Sequence, residues 1–497
     1  MKYPQLLLCL LAGASLSAET PPLLPFVDNV RTRYQPSGDG AWMLTGKQEV
    51  ESKITAAEIS ADGRTFFMGD DDGFVSALDV GSQKILWRTE VIEGGEAVSS
   101  LRADRTGTKI LAAKTRGVNE FSHTYLIQAA GHTPQVKDLG EEPAFSRECE
   151  ATRMDPIDFA WSSDSKSYVV LYQTHALANR DGCQVAEEVY LAKKDLNGKR
   201  LGLKKIGLQA FSKPERDEPD EIFCMGVVRM AQNRAGSLVA VSFCNSRVLT
   251  YRTDGQFTFA GMTSSVQYAL EDAGASPASG AGHMAFDRAG SIYFGMGQPG
   301  AMAKSSIVKI SKDLTKMELL ANVHMPYPKI SLDDSGRFLM AGSNIVFLYD
   351  LQERSLLFWG PLGSWNGQAA ALHPGKRLIF LPEERGRVLQ TITERPGLRL
   401  RVGTDWTSTG KIVRGGDSVY VAGKGRIGLG FGEWLREDWK YGDSWIDQYI
   451  DDVPPNLRGK PAEFKIRAKE PGEYMIYGGR SEAESDDAGL VEALRGW

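Results

Sequence analysis

A short pattern returns seven times along this chain: a few apolar residues, a polar turn that usually carries glycine, then a second apolar run. The copies are AEISADGRTFFMG (57–69), SLRADRTGTKILAA (100–113), FAWSSDSKSYVVLY (159–172), RMAQNRAGSLVAVSF (229–243), MAFDRAGSIYFGMG (284–297), ISLDDSGRFLMAG (330–342) and AALHPGKRLIFLP (370–382). Each reads as a strand, a tight turn and a second strand, because apolar runs of strand length are bounded by Gly, Asp, Asn and Ser. Successive copies lie roughly 40 to 70 residues apart, which leaves room for two further strands each time.

A chain of 497 residues is too long for one ordinary core. A single four-stranded sheet cannot bury both of its faces. Packed round an axis, each sheet covers its neighbours, and free edges remain only at the outermost strands. The expected fold class is therefore all-β, with a seven-bladed β-propeller over 54–396. Its inner strands would be small and apolar, as in VVRMA (227–231), MAF (284–286) and AAAL (369–372). The segment 19–53 is placed to close it.

Hydrophobic residues make up 42% of the chain and charged residues 24%, with a net charge of −5. That is a globular balance, and it offers no footprint for nucleic acid or for an anionic membrane. Residues 1–18 read as a signal peptide: Lys2 is the basic start, LLLCLLAGA (6–14) the apolar core, and SLSA (15–18) the cleavage region. The apolar run is too short to span a bilayer, and no later stretch approaches that length. The expected location is the periplasm or beyond. Without Cys9, four cysteines remain, and an even number in an oxidising compartment favours disulfides. The strand pattern sets Cys224 opposite Cys244 on one hairpin. It sets Cys149 and Cys183 in the connections flanking the third blade's inner strands, so these are the expected pairs.

The stretch GDDDGFVSALDVGSQKILW (69–87) follows the first copy, and FLYDLQERSLLFW (347–359) follows the sixth. Both run strand, turn, strand and end on tryptophan. This resembles the repeat of quinoprotein-like and WD40-like propellers. Quinone dehydrogenases repeat the tryptophan motif blade after blade and this chain carries it in two, so no quinone is expected. Asp70-Asp71-Asp72-Gly73 lacks the alternating ligands and distal glutamate of an EF-hand and reads as a hairpin turn. The acidic run KPERDEPDEI (213–222) reads as a solvated linker.

Beyond Pro396 the repeat stops and tryptophan becomes frequent, at 406, 434, 439, 445 and 497. Short strands split by glycine turns predict a small β-sandwich over 397–497. Within it, WTSTGKIVRGGDSVYVAGKGRIGLG (406–430) resembles the opening hairpins of the galactose-binding lectin family related to the PA-I lectin. That resemblance implies a carbohydrate-binding module with calcium and sugar held in a late loop. Asp486 and Asp487 stand where the family's later Asn pair would lie, whereas Gly478-Gly479 replace the first carboxylate. Trp406, Trp434 and Trp439 are the candidate sugar-stacking surfaces, or else core. Calcium is the one cofactor left open. The tail SDDAGLVEALRGW (485–497) also reads as a short helix capped by Ser485.

Catalytic motifs are thin. The glycines of Gly295-Gly297-Gly300 and Gly423-Gly425-Gly428 have the dinucleotide spacing, but no helix follows either of them. Both GDS tripeptides, at 416–418 and 442–444, read as turns. The six histidines are scattered without metal-ligand spacing, although His283 and His373 abut inner strands and His175 begins an insertion. The sequence thus points to an exported binding or scaffold protein whose partner is a protein or a glycan. The alternative is a propeller enzyme, a hydrolase, lactonase or quinoprotein-like oxidoreductase, with its site at the channel mouth.

Overall fold

The computed structural model describes residues 36–37, 40–114, 123–129, 133–140, 152–176, 187–209, 228–243, 246–276, 282–297, 304–325, 327–343, 345–361, 369–383, 387–414, 418–422, 427–439, 446–449, 456 and 460–479. Cys149, Cys183, Cys224 and Cys244, and with them the expected disulfides, lie outside these residues. So does residues 1–18, the segment read as a signal peptide.

The fold is all-β and propeller-like. All seven strand–turn–strand copies form antiparallel pairs, for example Ile54–Ile59 with Thr65–Asp70 and Lys329–Leu332 with Phe338–Gly342. Six of these pairs continue outward into four-stranded sheets. The seventh pair, Ala371–Leu372 with Leu378–Glu383, adds the strand Val388–Pro396 and then borrows Gly40–Glu49 from near the N-terminus.

Each inner strand touches the inner strand of the next sheet, and Ala371–Leu372 in the seventh touches Ile54–Ile59 in the first. The apolar side chains follow the same circle. Seven buried clusters are each shared by two consecutive sheets, the seventh sheet packing on the first through Ala369, Phe380 and Phe66. Phe66 and Phe380 stack there with ring centroids 4.5 Å apart. Trp87 lies in the cluster between the first and second sheets, beside Phe67.

Burial is deepest in the middle strands. The second strand of the first sheet, Thr65–Asp70, is buried at five of its six positions. The outer strand Gln135–Asp138 of the second sheet is exposed throughout. Middle strands are covered on both faces by neighbouring sheets and so carry continuous apolar runs, whereas several outer strands expose apolar side chains, among them Ile85, Leu86, Phe259 and Met262.

One turn is built seven times. The residue that ends each inner strand closes it: Ser60, Asp104, Ser162, Asn233, Asp287, Asp333 and His373. In every case its backbone N–H donates to a carbonyl four or five residues on. Its side chain accepts backbone N–H groups of the turn, as Asp104 does from Thr108 and Lys109 and Asn233 from Ser237 and Leu238. Small polar side chains that mimic a backbone acceptor are what such a turn selects.

After Pro396, two four-stranded sheets face each other across one cluster containing Val402, Tyr474 and Ile476 from one sheet and Leu429, Phe431, Phe464 and Ile466 from the other.

Candidate functional site

The ring of inner strands surrounds a cavity of about 590 Å³, whose wide end is rimmed by the closing turns, including Asp62, Arg105, Ser163, Arg234 and Asp334. At the opposite end it narrows to a neck of about 40 Å³. What lines the neck follows from pleat geometry, since side chains two residues apart share a face of a strand.

Four residues before the closing residue, the seven inner strands carry Ala56, Ser100, Asp158, Arg229, His283, Lys329 and Ala369. The first six of these line the neck. Two residues before the closing residue come Glu58, Arg102, Ala160, Ala231, Ala285, Ser331 and Ala371. The long charged side chains of Glu58 and Arg102 thus occur in the two sheets whose neck positions are Ala56 and Ser100. The result is a charged belt drawn from six sheets.

Arg102 organises the acids of the belt. It pairs with Glu58 Oε2 at 2.8 Å and with Asp158 Oδ1 at 3.2 Å. Asp158, which is buried, also accepts the backbone N–H of Met230 and of Phe159. The charge of Asp158 is the main reason the Arg102 guanidinium is held above its ordinary pKa.

Arg229 is met by neutral hydrogen-bond partners among the described residues. Arg229 Nε donates to His283 Nε2 at 3.3 Å, and Arg229 Nη1 to the Val228 carbonyl. Lys329 Nζ donates to the carbonyls of Ala370 at 3.2 Å and Ala57 at 3.5 Å. Because His283 Nε2 accepts a hydrogen bond, its proton sits on Nδ1. Burial, then the charges of Arg229, Lys329 and Arg102, hold His283 well below its usual pKa of 6.5, so it is neutral at pH 7. Burial also brings the Lys329 ammonium down from 10.5 to about 8, with Glu58 and Asp158 pulling it up and Arg102 pushing it down.

The linkage sign for Lys329 is unfavourable to folding. Between about 8 and 10.5 the unfolded chain holds the extra proton, so stability rises with pH across that window. Below it, the buried ammonium weighs against the fold. Perturbed groups gathered in a cleft mark functional sites more often than structural ones.

His373 does not join the belt. Its Nδ1 accepts the N–H groups of Gly375 and Lys376 at 3.0 and 2.7 Å, which leaves Nε2 to donate to the Gly63 carbonyl at 2.9 Å. It closes the seventh turn and ties the seventh sheet to the first. Gly63, at φ +73°, lies so close that a Cβ there would sit 2.3 Å from the imidazole. His373→Ala is expected to cost about 2–4 kcal/mol in urea unfolding, through a lost buried ring and two unsatisfied N–H groups. Burial depresses the pKa of His373 as it does that of His283. The stability these neutral rings contribute is therefore present above 6.5 and lost as pH falls below it.

His123 lies far out, paired with Asp138 Oδ2 at 3.0 Å, and His324 ends the outer strand Met317–His324. Of His283, His373 and His175, the histidines placed by sequence near the inner strands, His283 lines the channel and His373 does not, and the side chain of His175 lies outside the described residues. Among the described residues, no three His, Cys, Asp or Glu side chains come together as a metal-holding group.

The aspartate run at 70–72 is engaged locally. Asp70 accepts the N–H groups of Asp72 and Phe74 and pairs with Arg88 at 2.9 Å, Asp71 accepts from Lys53 N–H, and Asp72 from the Ser52 hydroxyl. Burial raises the Asp70 carboxyl to about 6, and the charges of Asp72 and Asp71 add to the rise. Gly73, at φ +86°, turns the chain beneath the Ile92 carbonyl.

The C-terminal tryptophans do not form one platform. Trp406 lies over Gly428 and Gly430, and its ring has the Arg467 guanidinium 5.1 Å from the centroid. Ile427, Leu429 and Phe431 of the same strand face the core, so the two glycines leave a bare outer strip that the indole fills. Trp434 packs against the core cluster between the sheets. Trp439 ends the strand Trp434–Trp439, and Asp486 and Asp487 lie outside the described residues.

Reading one motif at a time missed the belt, because each of six repeats contributes a single residue. Aligning the seven copies on their closing residue reveals it in two columns of sequence.

No protein-family model matches the chain, and no curated protein matches it.

Proposed function

We propose that this chain is an exported binding protein: a seven-bladed β-propeller closed by the strand Gly40–Glu49 and followed by a β-sandwich, with its ligand taken into the central channel. The observation that carries this reading is the funnel, a cavity of about 590 Å³ that ends on a neck of charged side chains. Ligand sites of this size, with a few convergent polar groups, are the usual working surfaces of a rigid scaffold. The rim is made of mixed turn residues, which suits recognition of a partner better than hydrolysis.

Carbohydrate binding by the β-sandwich is a second element of the proposal, supported by the resemblance over 406–430 and by the half-buried indole of Trp406. Calcium and the late acidic loop belong to that element. The propeller enzyme is the rival, and the neutral imidazole of His283 is the feature that favours it.

The test uses the full mature chain, oxidised, on a glycan array and in a thermal-shift screen of small molecules. A channel ligand is expected to raise Tm, by mass action on the folded state. Ala231→Trp, which fills the funnel wall, should abolish that rise and leave any glycan binding intact. Trp406→Ala should do the reverse. Turnover of lactone, ester or alcohol substrates without ligand-dependent stabilisation would favour the enzyme.

A further inference from the structure

We propose that the neck is an anion-binding site, with Arg229 and Lys329 on either side of His283 holding the carboxylate or phosphate head of a small molecule whose body lies in the funnel. This rests on the channel being the ligand site.

The first argument is charge. Three cations, Arg102, Arg229 and Lys329, share the belt with two carboxylates, Glu58 and Asp158. Both carboxylates pair with Arg102. Among the described residues Arg229 has no carboxylate at ion-pair distance; its partners are an imidazole nitrogen and a carbonyl. His283 between the two cations is neutral and cannot offset them. Among the described residues the neck therefore carries net positive charge in a confined, partly dehydrated space, where a fixed charge acts more strongly than at an open surface.

The second argument is shape. The neck holds about 40 Å³, room for a compact anionic head rather than a sugar ring. Above it the channel-facing side chains are small, Ala160, Ala231, Ala285, Ser331 and Ala371, beside Glu58 and Arg102. A charged end below and a wall of small side chains above leave room for the body of an organic anion entering head first. Arginine offers a planar fork to such a head, and lysine a point charge on a flexible stem.

The third argument is that the arrangement works against folding. The buried Lys329 ammonium weighs against the fold below about pH 8, and perturbed groups gathered in a cleft mark functional sites more often than structural ones.

The experiment is calorimetric titration of the full oxidised chain at low ionic strength with inorganic phosphate and, separately, with acetate. At pH 7, saturable binding of at least one is expected. Preference for phosphate assigns a phosphate-type head, and preference for acetate a carboxylate. At pH 9.5, where Lys329 has lost its proton, affinity should fall at least about tenfold. Glu58, Arg102 and Asp158 are the charges that act on Lys329, and a loss that follows a single titration near about 8 reports Lys329.

Lys329→Met should abolish binding while raising Tm, which separates lost binding from lost folding. Arg229→Gln is the second variant, expected to weaken binding at both pH values. Absence of saturable binding, or binding indifferent to both substitutions, overturns the proposal. If phosphate and acetate do not bind while a neutral ligand from the thermal-shift screen binds and is blocked by Ala231→Trp, the anion site falls and the channel reading stands. If nothing enters the funnel, both fall.

Discussion

Replacing Asp158 with alanine is expected to cost about 3–5 kcal/mol of stability, seen as a lower urea midpoint at an unchanged slope. Asp158 is buried and accepts from Arg102 and from two backbone N–H groups. Alanine would leave Arg102, Arg229 and Lys329 facing Glu58 alone, and it would orphan the N–H of Met230. Breaking a buried pair from one side costs more than the pair itself contributes, because the remaining charge stays buried without compensation. About a third of the Arg102 side chain still meets channel solvent, which moves the expected cost toward the lower end of that range. Asp158→Asn keeps an acceptor oxygen and should lose about half as much. It also takes one negative charge from the neck, so phosphate should bind it more tightly than it binds the parent chain. A cost below about 1 kcal/mol for Asp158→Ala would mean that the belt is fully solvated and contributes little to the fold.

Much of the architecture was legible because turn chemistry repeats. All seven strand–turn–strand copies are antiparallel pairs, and six of the seven closing residues are the Ser, Asp or Asn that such a turn selects. The seventh, His373, does the same work with an imidazole, and its residue type drew attention to catalysis when its position indicated structure. The outer strands were harder to read. Gln135–Asp138 and Phe259–Met262 are almost wholly exposed, so neither alternation nor an apolar run announces them. The belt was the least legible part. Asp158, Arg229, His283 and Lys329 are separated by 46 to 71 residues, well beyond any local spacing rule. Only the closed circle of sheets brings them to one level. In the C-terminal sheets, the alternate glycines of IGLGF (427–431) were the available sign that an indole lies across them rather than in open solvent.

Removing residues 36–49 should abolish cooperative folding, and the Gly40–Glu49 strand explains why. It pairs with Val388–Pro396 from Gly40 opposite Pro396 to Glu49 opposite Val388, and it joins the beginning of the ring to its end. Without it, Val388–Pro396 becomes a long bare edge open to other chains, which predicts aggregation rather than a stable monomer. Loss of packing adds to loss of pairing. Trp42 is fully buried in the cluster between the sixth and seventh sheets, edge-on to Phe338 at 5.6 Å and beside Met340, Leu348 and Ile392. Trp42→Ala should therefore cost about 3–5 kcal/mol, comparable with other large-to-small changes in a core. Its indole Nε1 has no hydrogen-bond partner among the described residues. Phenylalanine removes that unsatisfied donor and keeps most of the apolar volume, so Trp42→Phe should cost only about 1 kcal/mol. The pair of variants separates packing from pairing, because neither alters the backbone ladder. If Trp42→Ala were nearly neutral while the deletion still abolished folding, the strand would act through its hydrogen bonds alone. If the deletion folded normally, the ring would hold together through the contact between its first and seventh inner strands, and the terminal strand would be an accessory to a circle already closed.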